Sequence, residues 1–90
     1  MSEPLWRIEF DRVAVRAIRK LDPAMGRRIV KTLDDLKGLE NPTVRCKALT
    51  GPYSGLWRIR VGDYRAILDI RRGELVIVAL DIGNRATIYD

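Results

Sequence analysis

Hydrophobic and basic residues alternate between Trp57 and Val61, which is the pattern of a strand with one buried face. The pair Gly62-Asp63 follows, and a Gly-Asp pair between two strand-like segments predicts a two-residue hairpin turn. If Val61 and Tyr64 flank the turn, the register follows by counting along both strands. It pairs Arg60 with Arg65, Ile59 with Ala66, Arg58 with Ile67 and Trp57 with Leu68.

This register predicts two chemically different faces, because opposed residues share a face and side chains alternate along a strand. One face carries apolar and aromatic side chains: Trp57, Ile59, Val61, Tyr64, Ala66 and Leu68. The other face gathers three guanidinium groups, those of Arg58, Arg60 and Arg65. Like charges directly across a ladder destabilise it, so we interpret this face as an anion-binding surface. A solvated face without a ligand is the alternative, since antiparallel sheets often leave one face in water.

The other segments predict one strand, two helices and a last strand. Residues 6–10 alternate as in a short strand, and Asp11 is suited to cap a helix whose apolar residues recur at helical spacing up to Leu21. The pair Asp22-Pro23 predicts the start of a second helix that ends near Gly38. Residues 43–54 predict a loop or a short strand. The apolar run within residues 74–82 predicts a strand buried on both faces and ended by Gly83.

The order β-α-α-β-β-β predicts an α+β fold. It consists of an N-terminal strand, a helix hairpin and a three-stranded antiparallel meander, with the helices packed on one face of a mainly antiparallel sheet. Trp57 and Tyr64 fall on the apolar face, where core packing is the expected role.

Composition adds a bias in charge. The 90 residues carry a net charge of +5, and the pI near 9.9 favours polyanionic partners or an acidic protein. A hydrophobic fraction of 47% and 32% charged residues are typical of a globular domain. Cys46 is the only cysteine, which excludes an intrachain disulfide. Without a membrane-length apolar run or a signal-peptide pattern, we expect a cytoplasmic protein.

The sequence excludes several chemistries. It contains no histidine, so neither a Ser-His-Asp triad nor a Cys-His pair can be assembled. One thiol and no imidazole argue against zinc, and there is no Gly-rich phosphate loop. We therefore expect no metal and no cofactor. Cleavage of a phosphodiester by the neighbouring 2′-hydroxyl remains open, because it needs cations, orientation and a proton acceptor and donor.

Three segments carry a family resemblance: Lys47–Gly51, Gly55–Arg65, and Gly83-Asn84-Arg85 with Tyr89. Together they resemble the RelE/ParE toxin superfamily, and the similarity spans nearly the whole chain. The resemblance implies one RelE-like toxin domain over residues 1–90, with a curved sheet and both helices on one side. It also implies a toxin that enters the ribosomal A site, cuts mRNA there without a metal ion, and is neutralised by a cognate RelB-like antitoxin in a hetero-oligomer.

The resemblance also implies roles for individual residues. Arg58 and Arg60 match two basic residues that grip RNA, and Lys47 belongs to the same RNA-binding set. Arg65 matches the arginine that stabilises charge on the scissile phosphate. Arg85 matches an arginine assigned to protonation of the leaving group. Tyr89 matches a tyrosine that stacks on a nucleobase and acts as the general base for proton transfer. Two positions depart from the family pattern: many relatives have His at Asn84 and a basic residue at Ala86.

Two other functions are compatible with the same pattern. A ParE-like inhibitor of DNA gyrase would use a similar scaffold without cleaving RNA. A non-catalytic RNA-binding module would show salt-dependent RNA affinity without cleavage products.

Overall fold

The computed structural model describes residues 5–84. This part of the chain contains five strands and two α-helices. Their bounds in chain order are β1 Arg7–Phe10, α1 Arg12–Arg19, α2 Pro23–Asp35, β2 Lys47–Ala48, β3 Trp57–Val61, β4 Tyr64–Arg71 and β5 Val76–Asn84. Short 3-10 turns lie at Leu36–Gly38, Pro42–Arg45 and Gly51–Tyr53. Among these described residues, no helix combines the length and apolarity that a membrane crossing requires.

The strands form one sheet in the order β1-β5-β4-β3-β2. β1 pairs in parallel with β5, and every other pairing is antiparallel. The predicted α+β fold is confirmed, with the helix hairpin inserted between β1 and the antiparallel meander. The segment predicted as a loop or a short strand contributes the two-residue edge strand β2.

The central hairpin has the predicted register. Arg60 pairs with Arg65, Arg58 with Ile67, and Val61 and Tyr64 flank the turn. Gly62 has a φ of +61°, in the left-handed region where a side chain is strained. A Cβ there would also lie 3.2 Å from Nη1 of Arg28 on α2. The turn that fixes the register therefore requires glycine for its conformation, whereas the flexible end of the Arg28 side chain can move to admit a Cβ.

Both helices begin at the predicted caps. Oδ1 of Asp11 accepts a hydrogen bond from the N–H of Val13 at 2.9 Å, and Oδ2 of Asp22 accepts from the N–H of Ala24 at 3.1 Å. Pro23 occupies the first turn of α2. The α-helix ends at Asp35, and a 3-10 turn carries the chain to Gly38, where the sequence predicted the helix to end.

The helices cover one face of the sheet, which we call the covered face. Its buried sheet residues are Ile59, Val61, Ala66, Leu68, Ile77, Ala79 and Ile82, and the helical segments contribute Ala14, Ile29, Leu33 and Leu36. Trp57 and Tyr64 pack against this cluster, as predicted. We call the opposite side of the sheet the open face. It carries Arg58, Arg60 and Arg65.

β5 differs from its prediction in two ways. Gly83 does not end the strand, because it pairs with Arg65 and the next residue, Asn84, pairs with Tyr64. The pairing also shifts: Ile67 opposes Asp81 whereas Leu68 opposes Ala79, so Leu80 is an extra residue in a β-bulge. The bulge turns Ile82 into the core and places Gly83 on the open face. The strand is not buried on both faces throughout, since Val78 and Leu80 are half-buried.

Candidate functional site

Five basic side chains surround a concavity of about 180 Å³ on the open face, which we call the basic pocket. They are Arg45, Lys47, Arg58, Arg60 and Arg65. Every residue of the described part of the chain that lines the pocket carries a positive charge, so its interior favours an anion.

The sheet register brings these side chains together. Arg58 and Arg60 are two residues apart on β3 and therefore project to the same face. Arg65 lies directly opposite Arg60, and Lys47 on the edge strand lies directly opposite Arg58. Directly opposed residues in an antiparallel pair have Cβ atoms roughly 4.5–5.5 Å apart. A tetrahedral anion between the strands can therefore be reached from both.

Arg65 is half-buried, as is Arg58, and the Nη1 atom of Arg65 is shielded from solvent. The neighbour of Arg65 across the ladder on β5 is Gly83, which contributes no side chain beside the guanidinium. Arg60 is exposed, and its Nε donates a hydrogen bond to the carbonyl oxygen of Gly62 at 3.1 Å. This bond holds the Arg60 side chain along the hairpin and towards its turn.

Arg60 and Arg65 are directly opposed, and like charges across a ladder repel by about 0.2–1 kcal/mol per pair. An anion bound between them converts repulsion into charge-assisted hydrogen bonds, which are about twice as strong as neutral ones. The chemical capacity of the pocket is therefore to bind a phosphate and to stabilise additional negative charge that develops on it.

The sequence interpretation missed Arg45. It is the last residue of the 3-10 turn Pro42–Arg45, immediately before the edge strand. A signal was present, since Arg45, Cys46 and Lys47 alternate basic, apolar and basic in the same way as Arg58 to Arg60.

Nη2 of Arg72 donates to Oδ1 of Asn41 at 3.1 Å and so ties the start of the 3-10 turn that carries Arg45 to the β4–β5 connection.

Cys46 lies between two pocket residues but points away from the pocket. Its side chain packs against the covered-face core, and its Sγ donates to the carbonyl oxygen of Pro42 at 3.5 Å. Burial raises the pKa of the thiol to about 11, so the thiol stays protonated at neutral pH. The thiol is therefore no nucleophile under those conditions. Separately, residues 5–84 hold no group of three acidic, cysteine or histidine side chains placed to bind a metal.

Four predicted site residues thus line one pocket: Lys47, Arg58, Arg60 and Arg65. The other two, Arg85 and Tyr89, lie outside the described residues, as does Ala86. Their roles stay predictions.

Comparison with known proteins decides the family. Residues 8–89 match the family described as the ParE toxin of the type II toxin-antitoxin system parDE. The chain belongs to this toxin family. The resemblance to the RelE/ParE superfamily is confirmed. A search of curated protein sequences finds no match.

Solved structures of the superfamily have the same fold. The RelBE2 toxin–antitoxin complex of Mycobacterium tuberculosis contains a chain that is 26% identical, with a TM-score of 0.80 over 92% of this chain and 100% of that one. An archaeal RelE–RelB complex from Pyrococcus horikoshii gives 28% identity and a TM-score of 0.72, covering 92% and 98%. The YoeB/ParE toxin of Agrobacterium tumefaciens, at 13% identity and a TM-score of 0.70 over 88% and 98%, is similar in fold alone. This chain is accordingly a toxin of a type II toxin–antitoxin system.

Proposed function

We propose that this ParE-family toxin is a ribosome-dependent endoribonuclease that cuts mRNA in the ribosomal A site. The observation that carries the proposal is the basic pocket, in which five cations enclose a volume suited to a phosphate group. Inhibition of translation follows from loss of the message.

In this proposal the cations have two different roles. Lys47, Arg58 and Arg60, joined by Arg45, hold the RNA backbone, and the half-buried Arg65 stabilises charge on the scissile phosphate. The 2′-oxygen bonds to phosphorus while the bond from phosphorus to the 5′-oxygen breaks. The products are a 2′,3′-cyclic phosphate and a free 5′-hydroxyl. The 2′-hydroxyl loses a proton, which Tyr89 accepts in its phenolate form, and the 5′-oxygen gains one from Arg85; a proton then passes from Tyr89 to Arg85 through solvent and restores both groups. No step requires a metal ion.

The test is cleavage of mRNA in a translation extract by Arg65→Ala and Arg85→Ala variants. Removing one stabilising cation should lower the cleavage rate by about 100-fold or more. Arg16→Ala is the matched control, because Arg16 is exposed on α1, away from the pocket. This variant should cleave mRNA at the wild-type rate. Unchanged cleavage by both pocket and tail variants would show that these roles are wrong.

Inhibition of DNA gyrase is the second candidate function, and the ParE description of the matching family favours it. A plasmid supercoiling assay with purified gyrase separates the two candidates. Inhibited supercoiling with intact mRNA in the translation extract would replace the nuclease proposal.

We also propose a RelB-like antitoxin as the cognate partner, in a toxin–antitoxin hetero-oligomer. Antitoxins accompany the toxins in both complexes from M. tuberculosis and P. horikoshii. An apolar groove of about 610 Å³ between α1 and α2 supports this partner, because an amphipathic helix binds such a groove through its apolar face. Val30 lines the groove and is 40% exposed. A Val30→Asp variant should therefore bind the antitoxin more weakly in a titration, whereas Arg16→Asp should not.

A further inference from the structure

A second cavity adjoins the basic pocket and has a different lining. It measures about 400 Å³, within the size range of small-ligand sites, and it is formed by residues 48–53 together with Arg58. Arg58 also lines the basic pocket, so the two cavities meet at one guanidinium group. A molecule that places an anionic group against Arg58 can extend directly into the second cavity.

The second cavity suits a flat, weakly polar group rather than another anion. Among residues 5–84, Arg58 is the one charged side chain of its lining, and Leu49 and Pro52 supply apolar surface. Tyr53 contributes an aromatic ring that is 39% exposed, and Thr50 contributes a hydroxyl group. Exposed aromatic rings beside a basic groove are the usual platform for nucleobase stacking.

The loop that carries Tyr53 has an ordered backbone. The N–H of Ser54 donates to the carbonyl oxygen of Gly51 at 3.1 Å, and the N–H of Leu56 donates to that of Tyr53 at the same distance. The base of the loop is closed by the N–H of Leu49, which donates to the carbonyl oxygen of Leu56 at 3.0 Å. A fixed backbone reduces the entropy lost when a ligand stacks on the ring.

We propose that this cavity is a nucleobase subsite, in which Tyr53 stacks on the base of the nucleotide whose phosphate lies in the basic pocket. The inference rests on the proposed function in so far as RNA is the ligand. Tyr53 favours bases that stack strongly next to the bound phosphate, and the basic pocket itself reads no base.

Binding measurements on the purified full chain test the subsite without ribosomes. The probes are adenosine 5′-monophosphate, cytidine 5′-monophosphate and ribose 5-phosphate, which share a sugar phosphate and differ in the base. We expect at least one nucleotide to bind roughly tenfold more tightly than ribose 5-phosphate, as stacking on one aromatic ring allows. Tyr53→Ala should remove this difference and leave the affinity for ribose 5-phosphate unchanged, whereas Tyr53→Phe should keep it.

Val44→Ala is the control variant, because Val44 is 71% exposed and lies outside both cavities. Equal affinity of the wild-type chain for all three probes would overturn the proposal. So would an equal loss of affinity for all three probes in Tyr53→Ala, since a merely structural role of Tyr53 would produce it.

Mapping of transcript 5′ ends after brief expression distinguishes failure of the subsite from failure of the nuclease. If both proposals hold, Tyr53→Ala shifts the distribution of cut codons, whereas Arg65→Ala lowers all cuts together. An unchanged distribution in Tyr53→Ala overturns the subsite and leaves the nuclease standing. If the wild-type chain cuts nothing, the nuclease proposal fails, and the probe titration decides the subsite by itself.

Discussion

The two faces of the central hairpin use the same strands for opposite purposes. On the covered face Ile59, Ala66 and Leu68 are at most 6% exposed and pack under the helices. On the open face the residues between them, above all Arg58 and Arg65, line a pocket of like charges. A period of two thus lets one strand contribute stability on one side and ligand binding on the other. Substitutions on the covered face should therefore lower the free energy of unfolding, whereas substitutions of the open-face cations should raise it and weaken anion binding.

The largest expected effect on stability comes from the covered face. Leu68→Ala removes a fully buried side chain and should lower the free energy of unfolding by about 2–5 kcal/mol, because it loses burial and leaves a cavity. Leu5→Ala, at a leucine that is 54% exposed, is the matched control and should change it by less than about 0.5 kcal/mol. Urea denaturation of both variants makes the measurement, and similar losses would contradict the division of faces.

A smaller loss should follow when the helices that form the cover are weakened. Asp11→Ala deletes the cap of α1 and should cost about 0.5–2 kcal/mol in the free energy of unfolding. Phosphate binding on the open face should stay normal, because the cap lies outside the basic pocket. Glu40→Ala, at an exposed loop position, serves as the control in the same denaturation experiment. A weakened affinity for inorganic phosphate in Asp11→Ala would show that the faces are coupled.

A substitution on the open face should have the opposite sign. Arg60→Gln removes one of two directly opposed cations and should raise the free energy of unfolding by about 0.2–1 kcal/mol at low salt. The gain should shrink in 1 M salt, where charges are screened within about 3 Å. Inorganic phosphate should stabilise this variant less than the wild-type chain. Thermal melts with and without phosphate test both effects, with Arg16→Gln as control, and a loss of stability at low salt would refute the repulsion.

The smallest effect concerns reactivity alone. Because burial raises the pKa of Cys46 from 9.0 to about 11, the folded chain at pH 8 holds roughly 100-fold less thiolate than the unfolded chain. Alkylation by iodoacetamide should be slower by about that factor in native buffer than in urea, and should speed up as the pH rises towards 11. Equal rates would show that burial does not raise the pKa of Cys46, and faster alkylation in native buffer would show that nearby cations lower it.

The sequence predicted the hairpin register residue by residue because a two-residue turn leaves no freedom in the count. The helix caps Asp11 and Asp22 followed from the preference of aspartate for the N-cap position of a helix. The face occupied by the guanidinium groups followed from the alternation of side chains along a strand. The register consequently predicts that Arg58, Arg60 and Arg65 share one face, whereas Lys47 joins the predicted site only through the family resemblance.

Three features escaped prediction for physical reasons. The bulge at Leu80 lies in a run of aliphatic residues, where either parity of the strand buries apolar side chains, so no pattern marks the extra residue. Arg45 lies in a 3-10 turn whose path depends on contacts such as that between Arg72 and Asn41. The cavity beside Tyr53 arises from the packing of a loop, and periodicity carries no information about loops.

The extra residue at Leu80 has a consequence for how this toxin tolerates change in length. Deleting it would keep Asp81 opposite Ile67, Ile82 opposite Ala66 and Gly83 opposite Arg65, because regular alternation then gives the same pairing. Straightening the strand with Leu80 kept would instead move every later residue to the other face, so that Ile82 stands among the arginines and Gly83 leaves a hole under the helices. The bulge therefore lets this strand hold one residue more than its neighbour while both faces of the sheet keep their side chains.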